Sequence, residues 1–159
     1  MERINQFLKG RGTMRPMLLR IKRLDSAVGL PAAATLKAAG FDLAAAADVE
    51  VPARGIKLIG TGLVIGVPDG YFLGIFARSS MPLKRGLMVA NGVGVIDADY
   101  CGPGDEIKIQ VLNVTDAPVK VVTGERLAQG IVLPCPQIEW DEVTELAAPT
   151  RGGFGSTGN

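Results

Sequence analysis

Two carboxylates and a phenol stand together in Gly94-Val95-Ile96-Asp97-Ala98-Asp99-Tyr100, directly behind an apolar run. An Asp in that position is costly to bury without hydrogen-bond partners, so Asp97 is expected at the lip of a cleft. The 159 residues include no histidine. That removes the commonest general base, the usual serine-hydrolase triads and the His-bearing zinc deaminases. A general base in this chain has to be a carboxylate.

Three further polar groups close apolar segments. Arg78-Ser79-Ser80 follows Tyr71 to Ala77, Gln129 ends Glu125-Arg126-Leu127-Ala128-Gln129, and Asp42 lies in Ala39-Gly40-Phe41-Asp42-Leu43. Each has an ordinary structural use: Ser79 as a helix cap, Arg126 in a surface salt bridge, Asp42 in a turn beside Gly40. The tail Arg151-Gly152-Gly153-Phe154-Gly155-Ser156-Thr157-Gly158-Asn159 has the composition of a disordered linker, yet it holds two specific handles. Arg151 can grip a phosphate, the amides and hydroxyls around Gly155 and Ser156 can bond its oxygens, and Phe154 can stack on a base. Cys101 and Cys135 are the only cysteines, too far apart for a Cys-x-x-Cys motif. Both are expected to be ordinary buried or half-buried thiols.

Composition bounds what can surround these groups. A chain of this length with 47% apolar residues suits one domain around one core. The net charge of +1 offers no general attraction to nucleic acid or a membrane surface, so neither is expected as a partner. An anionic ligand would be held by a few placed cations. No apolar run approaches the ~20 residues of a membrane span, and the first residues lack a basic-then-apolar leader pattern, so a cytoplasmic location is expected.

The 21 glycines and 10 prolines leave little room for helices and suit many short strands. Strands are predicted at Met17 to Leu24, Gly55 to Val67, Tyr71 to Ala77, Leu87 to Val95, Glu106 to Val114, Val119 to Val122 and Leu127 to Leu133, with a turn at Asp69-Gly70. Ile107-Lys108-Ile109-Gln110-Val111 alternates with the period of a strand buried on one face. Ser79 to Arg85 is the best place for a short helix. The pattern predicts an all-β sandwich or jelly-roll-like barrel over residues 16–146. A basic N-terminal arm over residues 1–15 and a flexible C-terminal lid over residues 147–159 flank it.

Taken together, the motifs resemble the five ordered motifs of the trimeric deoxyuridine triphosphatases, the dUTPases. Ala39 to Leu43 looks like the first, Arg78 to Met81 the second, Asn91 to Tyr100 the third, Gly124 to Gln129 the fourth and Arg151 to Gly158 the fifth. The resemblance implies a jelly-roll subunit in a homotrimer whose active sites are shared between chains. It implies hydrolysis of dUTP to dUMP and pyrophosphate with Mg2+, a reaction that limits uracil in DNA and supplies dUMP for dTMP synthesis. By similarity Asp97 activates the attacking water, and Tyr100 packs against the sugar where a ribose hydroxyl would clash. Asn91 reads uracil on a hairpin whose backbone, Gly94 included, completes the pairing. Arg78, Ser79, Ser80 and Gln129 match phosphate-chain contacts. Arg151, Gly155 and Ser156 match contacts to the terminal phosphate, Phe154 the ring that covers uracil, and Asp42 a carboxylate near the metal's water shell, with no direct protein ligand to the metal.

Three departures stand out: Ser80 replaces a usual Gly, Pro103-Gly104-Asp105 looks like an insertion outside the site, and Arg151 precedes Phe154 by three residues where five is commoner. Two alternatives follow. A dCTP deaminase, alone or bifunctional with dUTPase, shares the fold, but if Asn113 is the family's Asn, its catalytic glutamate position holds Gln110. A non-catalytic nucleotide sensor could use the same scaffold.

Overall fold

The computed structural model describes residues 17–148. Among the described residues, eleven short strands and one single-turn helix follow one another. They are β1 Arg20–Arg23, β2 Phe41–Ala44, β3 Val49–Val51, β4 Ile56–Gly60, β5 Leu63–Gly66, β6 Tyr71–Ala77, α1 Met81–Arg85, β7 Leu87–Val89, β8 Gly94–Ile96, β9 Lys108–Asn113, β10 Val119–Val121 and β11 Arg126–Pro134.

The strands pair antiparallel into four small sheets, in the orders β1-β5, β10-β3, β2-β11-β6-β8 and β4-β9-β7. None closes on itself into a barrel, and the result is an all-β, distorted jelly roll. Leu43, Val51, Leu73, Ile107 and Val121 are fully buried in the single core. Each such side chain contributes about 1.5–3 kcal/mol of transfer free energy. The predicted alternation holds in β9, where Ile109 and Val111 are buried while Lys108 faces solvent.

Two predicted strands are each broken by a glycine turn. Gly55 to Val67 divides into β4 and β5 at Thr61-Gly62, where Gly62 takes a φ of 65°. Leu87 to Val95 divides into β7 and β8 at Asn91-Gly92, with Gly92 at φ 73° and its N–H donating to the Val89 carbonyl at 3.2 Å. Asn-Gly is a turn signal, but the valines on either side make the stretch look continuous. The Asp69-Gly70 turn is present, closed by the Tyr71 N–H on the Pro68 carbonyl at 3.2 Å. β2 and β3 lie outside the predicted strands, in an alanine-rich stretch of weak β propensity. Pairing to β11 and β10 makes them strands.

α1 falls inside the predicted Ser79 to Arg85 segment. Its N-cap is Ser80 rather than Ser79, and no side chain caps it. Gly86 ends it in the left-handed region, with its N–H on the Pro82 carbonyl. Both cysteines are exposed, contrary to expectation. Cys101 sits in the turn after Tyr100, and Cys135 follows the end of β11, so neither lies on a strand face that turns inward. The expected arm at residues 1–15 lies outside the described residues, as does most of the expected lid.

Candidate active site

Asp97 leaves β8 into a tight turn closed by the Tyr100 N–H on the Asp97 carbonyl at 3.2 Å. It is exposed, and with Leu58, Val95, Ile96, Tyr100, Glu106 and Lys108 it lines a depression of about 290 Å³. The expected position at the lip of a cleft is what the structure shows. Among the described residues no ion pair involves Asp97, so its carboxylate is open to water, as a proton acceptor must be. The Tyr100 hydroxyl donates to the Glu106 carbonyl at 3.3 Å.

Asn91 is exposed at the tip of the β7–β8 turn, beyond the opposite end of β8 from Asp97. Gly94 is buried against β6, where a Cβ would come within 3.1 Å of the Ile75 Cβ. Its small size is therefore needed for packing as well as for any ligand. Asn91 and Asp97 thus flank a strand paired in register to β6.

A second group of predicted residues collects where β2, β11 and the end of β6 meet. Asp42 stands opposite Gln129 in the β2–β11 ladder, and Gln129 stands opposite Phe76 on β6. The Asp42 carboxylate holds Arg78 Nε at 2.9 Å with one oxygen and Arg126 Nη1 at 2.9 Å with the other. Arg78 also donates to the Arg126 carbonyl at 3.2 Å, and Gln129 Nε2 donates to the Ala77 carbonyl at 3.1 Å. Asp42 is therefore in a strand, not a turn, and Arg126 is in a surface salt bridge, its partner being Asp42. Ser79 is exposed and Ser80 half-buried, both where the chain turns from β6 into α1. Arg85 ties that helix to the fourth motif, its guanidinium on the Glu125 carboxylate and the Lys120 carbonyl.

The two groups are not brought together within one chain. Ile96 stands opposite Leu73, so Asp97 continues toward the Phe72 end of β6, whereas Arg78 follows its other end. From Phe72 to Arg78 a strand at about 3.3 Å per residue runs roughly 20 Å. Arg151, Phe154, Gly155 and Ser156 lie outside the described residues.

No group of three or more metal-ligating side chains exists among the described residues. Both oxygens of Asp42 are engaged by arginines. The sequence reading passed over Glu106 and Lys108, which complete the wall beside Asp97. Glu106 follows Pro103-Gly104-Asp105, and nothing in the spacing ties it to a site. Pro103, Gly104 and Asp105 do not line the depression, and Asp105 accepts the Gly102 N–H at 2.6 Å. Gln110 and Asn113 both lie on β9. Asn113 is fully buried and clamps the following turn, donating to the Val51 and Ala117 carbonyls and accepting from Thr115.

The dUTPase family model matches residues 27–158. A deoxyuridine 5'-triphosphate nucleotidohydrolase of Nautilia profundicola is 42% identical over 144 residues, covering 89% of this chain and 99% of that one. A crystal structure of a dUTPase from Streptococcus mutans superimposes with a TM-score of 0.70 at 38% identity, covering 77% of this chain and 98% of that one. The Staphylococcus bacteriophage 80alpha dUTPase with dUPNHPP is similar in fold, with a TM-score of 0.80 at 23% identity over 89% of this chain and 98% of that one. A match that runs from the loop before β2 into the C-terminal tail takes in all five motifs, and the chain belongs to the dUTPase family.

Proposed function

We propose that the protein hydrolyses dUTP to dUMP and pyrophosphate in a homotrimer whose sites are each assembled from more than one chain. The observation that carries this reading is the separation just described: an open carboxylate beside a phenol at one end of β6, and a cationic cluster roughly 20 Å away at the other. One nucleotide meets both groups when Asp97 of one subunit faces Arg78 and Gln129 of another. The outer face of the β4-β9-β7 sheet also supports association, because Ile56, Leu58 and Met88 are exposed side by side on it.

In that arrangement Asp97 takes a proton from the water that attacks the α-phosphorus. Proton transfer of this kind contributes typically about 10² to 10⁴ in rate. Arg78, Ser79, Ser80 and Gln129 hold the phosphate chain, and the remaining acceleration comes from positioning and charge neutralisation. Asn91 and the backbone at Gly94 bind uracil, and Tyr100 lies against the deoxyribose. The donor set fits Mg2+ carried on the triphosphate, since that ion keeps waters and phosphate oxygens and needs few protein ligands. Asp42, with its oxygens on two arginines, would touch only the ion's waters. Mg2+ would neutralise phosphate charge. Arg151, Gly155, Ser156 and Phe154 are assigned to a lid over the phosphates and the base, which would exclude water from the triphosphate.

Pyrophosphate release from dUTP, dCTP, dTTP and UTP, measured side by side, tests the proposal. Release from dUTP far above the other three is expected. Binding of dUTP without release would indicate a nucleotide sensor, and ammonia from dCTP a deaminase. The deaminase is disfavoured by Gln110, whose amide cannot serve as a carboxylate base.

A further inference from the structure

The Glu106 side chain occupies a seat made for it. A Cβ on Gly60 would collide with Glu106 Oε1, and the Gly62 N–H donates to that same oxygen at 2.8 Å. The backbone on either side is equally tied. The Glu106 N–H donates to the Gly104 carbonyl at 2.8 Å and the Ile107 N–H to the Leu63 carbonyl at 2.8 Å. The Ile107 carbonyl accepts both the N–H and the hydroxyl of Thr61, at 3.1 and 2.7 Å. The Glu106 carbonyl that receives the Tyr100 hydroxyl is therefore anchored to the β4–β5 turn, across the depression from Asp97.

We infer that Glu106 is a positioning residue for sugar discrimination: its carboxylate, locked between Gly60 and Gly62, fixes the carbonyl that holds the Tyr100 ring. The inference rests on the reading that Tyr100 meets the sugar. A ring held only by its own torsions can swing aside to admit a 2′-hydroxyl. A ring whose hydroxyl is bonded to an immobile carbonyl cannot, and the cost of admitting ribose rises accordingly. The turn between Tyr100 and Glu106, with Asp105 on the Gly102 N–H and Lys22 Nζ on the Pro103 carbonyl at 3.0 Å, closes the loop that this bond spans.

The test compares kcat/KM for dUTP and UTP, and the affinities of dUMP and UMP by calorimetry, in full-length protein. Glu106→Ala is expected to raise the UTP-to-dUTP ratio about tenfold, with the UMP-to-dUMP affinity ratio moving the same way. Glu106→Gln, which keeps an oxygen for the Gly62 N–H, should retain the native ratios. Gly60→Ala, which displaces the carboxylate from the other side, should reproduce the effect of Glu106→Ala and covers the case in which that variant does not fold. Tyr100→Ala separates the two levels of the argument. If it leaves the ratios unchanged, the reading of Tyr100 fails. If it raises them while Glu106→Ala and Gly60→Ala do not, Tyr100 stands and the role of Glu106 is overturned.

Discussion

The two ends of β6 hold their polar groups by opposite means. At the Phe72 end, Asp97 is positioned by a main-chain turn, and its carboxylate is exposed and unpaired among the described residues. At the Arg78 end, position comes from side chains: one half-buried carboxylate, Asp42, gathers two arginines. A carboxylate that is to act as a base has to keep its lone pairs free for water, and the one cation in the wall beside Asp97, Lys108, is paired with Glu106 instead. Cations waiting for a polyanion repel each other and need a carboxylate to hold them in place until it arrives.

Asp97→Asn breaks the first region chemically without disturbing its turns. Turnover should fall at least about 10²-fold while nucleotide binding and melting temperature stay close to native. Pyrophosphate release and calorimetry measure both, and near-native turnover would remove Asp97 from the mechanism. Joining the regions across subunits gives the next largest effect. Asp97→Asn and Arg78→Ala proteins, each weak alone, should regain activity when unfolded and refolded together, to about one site in four at equal mixing. No recovery in trimers shown to be mixed would place each site within one chain.

Asp42→Ala addresses the second region alone. It strands two arginines side by side, which should lower stability by about 1–3 kcal/mol in urea titrations and raise KM for dUTP more than it lowers kcat. An unchanged KM would mean that the arginines hold their places without it. The smallest effect lies outside both regions. Asp48 accepts the N–H and hydroxyl of Thr123 at 2.8 and 2.9 Å, and these bonds, with Lys120 beside it, hold its carboxyl below its ordinary value of 3.8. A carboxyl with a lowered folded value stabilises the fold in full above the ordinary value, and that contribution shrinks below it and is lost as pH falls through the folded value. Asp48→Asn should therefore lower the melting temperature slightly at pH 7 and by less at pH 3. An equal loss at both would assign the effect to the hydrogen bonds alone.

Much of this was legible in the residues. β6 coincides with its predicted span, β9 shows its alternation, and Asp97 lies at the lip of a depression as its neighbours required. β2 was not legible, because Phe41–Ala44 lacks β-branched residues and becomes a strand by pairing with β11. Gly92 was misread because the valines around it satisfy a strand's hydrophobic pattern and outweigh the Asn91-Gly92 turn signal that its positive φ bears out. The exposed cysteines were misjudged because a thiol's burial depends on what packs over it.

By itself the sequence determined an all-β domain, the absence of any histidine base, and the order of five motifs, since these depend on residue type and local spacing. Only the tertiary structure decided which motifs share a surface. Strand register carries Asp97 and Arg78 to opposite ends of β6 and sets Asp42 across from Gln129. It also delivers Glu106 into a seat between two glycines that are more than 40 residues away in the chain. Such contacts arise from long-range pairing, which no local pattern encodes.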